Sequence, residues 1–224
     1  MELPSHLLIK ETVPVNGGKA AQITTNAAHD THPVWSPDGK QIAFASDRMG
    51  SMDIFVVDRE GGIPKRLTTH SGNETPVAFK DADHILFLAN VMPSAEDAQF
   101  PSGQFQQVYE VSTTGDRPVM FSSMPMEDIS INKTGNALLY HDKKGYEDPW
   151  RKHHTSSITR DIWLCSLDGK RSYRKLTSFN GEDRTPVWAS DGKSFYYLSE
   201  EKGSFNVFKR ALDGTSSTQL THHT

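Results

Sequence analysis

A thirteen-residue pattern returns four times along the chain: HPVWSPDGKQIAF at 32–44, TPVAFKDADHILF at 75–87, DISINKTGNALLY at 128–140 and TPVWASDGKSFYY at 185–197. Each copy leads into a second apolar run, DIFVVDREGG (53–62), QVYEVSTTGD (107–116), DIWLCSLDG (161–169) and NVFKRALDG (206–214). A short closing segment follows, KRLTTH at 65–70, RPVMF at 117–121, RKLTSF at 174–179 and TQLTHH at 218–223. Such repeats constrain a fold more than any motif, because each copy must be one supersecondary unit stacked on its neighbours. Measured through Gly39, Ala82, Gly135 and Gly192, the periods are 43, 53 and 57 residues. The excess falls in one link of the unit, which has 7 residues at 46–52 and 199–205 but 16 at 91–106 and 20 at 141–160.

Each unit reads as four short strands. The runs 42–45, 54–57, 85–88 and 195–198 are β-branched, aliphatic or aromatic and bounded by turn residues. Asp-Gly and Gly-Gly pairs supply the left-handed positions of tight hairpins. Several runs are apolar at consecutive positions, which predicts sheets covered on both faces. A four-stranded unit of this length, stacked face to face, is a β-propeller blade. A β-sandwich is the plainer alternative, and no segment sustains the 3.6-residue period of a helical solenoid. The sequence therefore predicts an all-β chain, a single partial propeller over 1–224. Its blades lie near 26–70, 71–124, 125–179 and 180–224, with half a blade at 1–25. About four and a half blades suggest part of a six- or seven-bladed ring. First strands are placed at 33–36, 76–79, 129–132 and 186–189, and an open arc of this kind is expected to self-associate.

Composition narrows the function. Lys and Arg number 24 against 28 Asp and Glu, a net charge of −4, so the positive footprint of a nucleic-acid binder is missing. No stretch approaches the ~18 apolar residues of a membrane-spanning helix. The single cysteine, Cys165, excludes an internal disulfide and reads as a small core residue. No basic start with an apolar run, the mark of a signal peptide, is visible at the N-terminus.

The pattern PVWSPDGKQIAFASDR…DIFVVDREGG…KRLT resembles the TolB-like propeller repeat. RKHHTSSITRDIW (151–163) followed by GEDRTPVW (181–188) resembles the N-terminal propeller of tricorn-like serine peptidases. That resemblance implies a non-catalytic module that admits or orients peptide substrates, or docks the remaining domains of a longer chain. It also implies a periplasmic setting, with a cytoplasmic one as the alternative. Two rivals stay open: a TolB-like protein-binding propeller, and the propeller of a prolyl-oligopeptidase-like hydrolase.

The search for chemistry supports a non-catalytic reading. There is no G-x-S-x-G, H-E-x-x-H, G-x-x-x-x-G-K-[ST] or G-x-G-x-x-G. No catalytic residue, metal ligand or cofactor is assigned. His153 and His154 are adjacent, so on a strand they would point to opposite faces. Trp35, Trp163 and Trp188 are expected to pack between blades, and Trp150 to lie in the third-unit insertion. One constellation remains. All length variation falls on one face of an up-and-down propeller, together with acidic residues ahead of each first strand. Those are Asp30, Glu74, Glu127 with Asp128, and Glu182 with Asp183, followed by Arg184. The 141–160 insertion adds Lys143, Lys144, Arg151, Lys152, His153 and Arg160. The plain reading is of solvated turn formers. The functional one is a mixed-charge mouth for peptide termini or a partner domain, with Arg151 and Arg160 clamping a carboxylate.

Overall fold

Apolar residues at consecutive positions in the middle of each repeat build two-faced strands, and these form the centres of four antiparallel sheets. The computed structural model describes residues 11–90, 106–145 and 156–224. Its sheets are meanders in chain order. The first comprises β3 (Asp30–Trp35), β4 (Gln41–Ser46), β5 (Asp53–Asp58) and β6 (Lys65–Arg66). The second has β7 (Glu74–Phe79), β8 (His84–Ala89), β9 (Gln107–Ser112) and β10 (Val119–Ser122). The third has β11 (Met126–Ile131), β12 (Ala137–Asp142), β13 (Ile162–Ser166) and β14 (Tyr173–Lys175). The fourth has β15 (Asp183–Trp188), β16 (Ser194–Ser199), β17 (Asn206–Ala211) and β18 (Ser217–Gln219). Ahead of them β1 (Glu11–Thr12) pairs with β2 (Ala21–Gln22). No helix occurs among the described residues.

The chain divides into two units, Met1–Ser123 and Met124–Thr224. In the first unit the two faces of β4 and β5 go to different cores. Ile42, Phe44, Phe55 and Val57 pack with Ile23. Ala43, Ile54 and Val56 face the other way and pack with Phe79, Ile85, Phe87 and Tyr109. This is the period-2 alternation of a strand with both sides apolar. In the second unit Leu139, Ile162, Leu176, Phe195, Tyr197 and Phe208 form a core cluster. Each such side chain contributes roughly 1.5–3 kcal/mol through burial.

The first strand of every sheet begins earlier than the repeat predicts, and a bulge is the reason. In β3 the register shifts between Thr31 and Val34, in β11 between Glu127 and Ser130, and in β15 between Arg184 and Val187. Pairing resumes beyond each bulge, so Asp30, Glu127, Asp128 and Asp183 lie inside the sheets. The bulge holds a non-glycine residue in left-handed backbone: His32 at φ 52°, Asp128 at 50° and Thr185 at 55°. Pro33 and Pro186 follow two of them, where a bulged edge strand tolerates the missing donor. In the second sheet the shift falls later in the strand, between Pro76 and Ala78, without a left-handed residue. Trp35 corrects the expected packing, since it is 50% exposed on its edge strand. Trp188 is partly buried and donates its indole N–H to the Ser130 carbonyl at 2.9 Å. Cys165 is fully buried, and burial pushes its thiol pKa up.

Candidate functional site

The acidic residues ahead of the first strands are held by threonines. In three sheet junctions a Thr that closes one sheet lies six positions before the carboxylate that starts the next. Thr24 Oγ1 donates to Asp30 Oδ2 at 2.6 Å. Thr68 Oγ1 accepts the Ile54 N–H at 2.9 Å and donates to Glu74 Oε2. Thr177 Oγ1 accepts the Ile162 N–H at 3.0 Å and is hydrogen-bonded to Asp183. The Thr68 and Thr177 hydroxyls thus each join the third strand of their own sheet to the first strand of the next. A backbone donor and a buried carboxylate are satisfied by one group. Asp30, Glu74, Glu182 and Asp183 are at most 7% exposed, which corrects the picture of solvated turn residues.

In the second unit charged residues gather in two clusters, one around Glu127 and one around Asp161. Lys143 Nζ donates to Glu127 Oε1 at 2.6 Å. His141 Nε2 lies 3.2 Å from Glu127 Oε2, while its Nδ1 accepts the Thr185 N–H at 3.2 Å. The accepting Nδ1 fixes the proton on Nε2, directed at Glu127. That hydrogen bond, with the Lys143 ammonium, holds the Glu127 carboxyl down to about 2. Arg160 Nη1 reaches Glu182 Oε1 at 3.3 Å, and its Nε stands 3.6 Å from Glu127. Lys144 bonds the Asp161 carboxylate and the Thr159 carbonyl, the latter at 2.7 Å.

Of the residues singled out in the sequence, Glu127, Asp128, Lys143, Arg160 and Glu182 are brought together. Asp128 is about half exposed and accepts the Thr185 hydroxyl at 2.8 Å. Arg184 stacks over the Phe205 ring at 4.1 Å, and Glu74 and Asp183 serve the threonine junctions. Arg151, Lys152, His153, His154, Trp150 and the 91–105 stretch lie outside the described residues. Reading the sequence missed Thr68, Thr177, His141 and Thr185. The Thr-x5-acid spacing was a visible signal for the first two. Nothing local marks His141, whose role depends on β11 and β15 lying against β12.

A separate cleft of about 460 Å³ lies in the first unit, lined by Arg48, Arg66, Phe55, Met49 and Ile63 among others. None of the residues singled out in the sequence lines it. Its arginines are engaged: Arg48 Nη2 meets Asp30 at 2.8 Å and Arg66 Nη2 meets Asp53 at 2.7 Å.

Residues 12–224 match the family of tricorn protease N-terminal β-propeller domains. "Tricorn protease homolog 1" of Streptomyces coelicolor is 25% identical over 94% of this chain and 19% of that protein. The chain thus spans about a fifth of that relative's length. Among solved structures, the tricorn protease superposes with a TM-score of 0.70 at 20% identity, over 95% of this chain and 20% of the other. TolB from Acinetobacter baumannii gives 0.70 at 18% identity, over 94% and 48%. The four-stranded sheets are propeller blades.

Proposed function

Because the chain belongs to the family of tricorn protease N-terminal β-propeller domains, we propose that it is a non-catalytic module orienting peptide substrates for a serine-peptidase region of a longer protein. The observation that carries this is the extent of the match. It takes in all four blades, while the chain corresponds to only 19% of a relative named as a protease homolog. The link that follows β12 supplies the contact chemistry. It is the longest link of the repeat, and in sequence it carries Arg151, Lys152 and His153 between Lys143 and Arg160. Arg160 is committed to Glu182 and Glu127, so carboxylate capture falls to Arg151 and Lys152.

The test uses the longer protein with its peptidase region. Arg151→Ala with Lys152→Ala is expected to raise KM for peptides ending in a free carboxylate, with Tm unchanged. Arg160→Ala is expected to lower Tm. Unaltered peptide kinetics in the Arg151/Lys152 variant would overturn the assignment of substrate orientation to this link.

A further inference from the structure

The three threonine junctions differ in how the charge of the carboxylate is met. Asp30 faces the Arg48 guanidinium at 2.8 Å. Among the described residues, neither Glu74 nor Asp183 has an ion-pair partner, and each is only 1% exposed. Glu74 Oε1 and Asp183 Oδ1 have no hydrogen-bond partner there either.

Around Glu74 stand Thr68, Asp53 at the start of β5, and Arg66 on β6, with His70 acting on Asp53. Asp53 is fully buried and takes Arg66 at 2.7 Å, so the guanidinium nearest Glu74 is already paired to another carboxylate. Asp183 is faced by Thr177, by Ser199 on β16, and by the negative groups Asp161 and Glu201. Lys144 and Lys175 are already paired to Asp161. A buried carboxylate without a cation is unstable as an anion, and a proton removes that penalty while leaving the Thr-facing oxygen free to accept.

We propose that Glu74 and Asp183 are proton-binding latches, each joining its blade to the preceding blade of the same unit most firmly when protonated and loosening it when the proton leaves. Burial acts in that direction on both, raising Glu74 to about 7 and Asp183 to about 6. The folded chain then retains protons that the unfolded chain releases near 4.5 and 3.8. Stability contributed by the latches is therefore full below those values and is lost as pH rises to about 6–7. The remaining junction differs in geometry, since Asp30 has its cation in place.

The test is denaturant unfolding of the 224-residue chain at matched ionic strength between pH 5.5 and 8.5, for the natural sequence, Glu74→Gln and Asp183→Asn. Across that range the natural chain is expected to lose about 30-fold in its folding equilibrium through Glu74 and about 4-fold through Asp183. Each variant removes its own share of the slope. Should a variant fail to fold, infrared spectroscopy of the natural chain replaces it, with a protonated-carboxyl band present at pH 5.5 and gone at 8.5. An identical pH slope in Glu74→Gln, or no such band at pH 5.5, would overturn the proposal.

Discussion

Thr185 donates its hydroxyl to the Asp128 carboxylate at 2.8 Å, and both residues occupy left-handed backbone at the bulge of their own strand. Left-handed backbone at a β-branched residue costs on the order of 1–3 kcal/mol. The surroundings offset it, because the Thr185 N–H that the bulge frees from the ladder is taken by His141 Nδ1 at 3.2 Å.

Two substitutions at this position separate strain from bonding. Thr185→Val keeps the strain and loses the hydrogen bond to Asp128, and is expected to cost about 1 kcal/mol. Thr185→Gly loses the same bond but relieves the backbone, so it should be the milder change. Denaturant unfolding of both variants checks the order. If Gly destabilises more than Val, the bulge is not strained.

Glu127 is expected to contribute to the acid side of the stability profile. Its carboxyl is held at about 2 by His141 and Lys143, below the ordinary 4.5. The stability it contributes is present above pH 4.5 and lost as pH falls from there towards 2. Glu127→Gln should flatten that limb by about 1–3 kcal/mol, allowing for its partial exposure. A thermal melt series from pH 2.5 to 5 measures it, and an unchanged limb would count against the network.

The threonine junctions are testable without titration. Thr177→Val removes the acceptor of the Ile162 N–H and a donor to Asp183, leaving two buried polar groups short of a partner. The expected loss is about 2–4 kcal/mol, against 1 or less for an isosteric change at an exposed strand position. Amide exchange at Ile162 should accelerate with it. Slow exchange at Ile162 in the variant would show that another group takes over the bond.

The isolated chain should not hydrolyse peptides. No nucleophile or metal motif stands in the sequence, and the one cysteine is buried with its thiol pKa raised. A fluorogenic peptide library incubated with purified chain checks this. Cleavage that co-purifies with the chain and resists inhibitors of common contaminants would contradict it.

Much of the fold was legible because it depends on short-range rules. Consecutive apolar residues at 42–45 and 54–57 announced strands covered on both faces, and Ile42 and Phe44 part company with Ala43 in just that way. Gly39, Gly135 and Gly192 hold the left-handed turns expected of them, at φ 68°, 71° and 63°. The start of each first strand was less legible. A bulge adds one residue without a compositional mark, so the acidic positions were read as lying before the strands rather than within them.

What the sequence by itself determined is the blade: its four strands, their order, its hairpins and the link in which length varies. These follow from periodicity and turn chemistry within about forty residues. Only the tertiary structure decided what the acidic residues do. Whether a carboxylate is a solvated turn former, an ion-pair partner like Asp30 or an uncompensated buried group like Glu74 depends on what the neighbouring sheet brings to it. The desolvation that separates these cases is set by packing between strands distant in sequence, to which local pattern is blind.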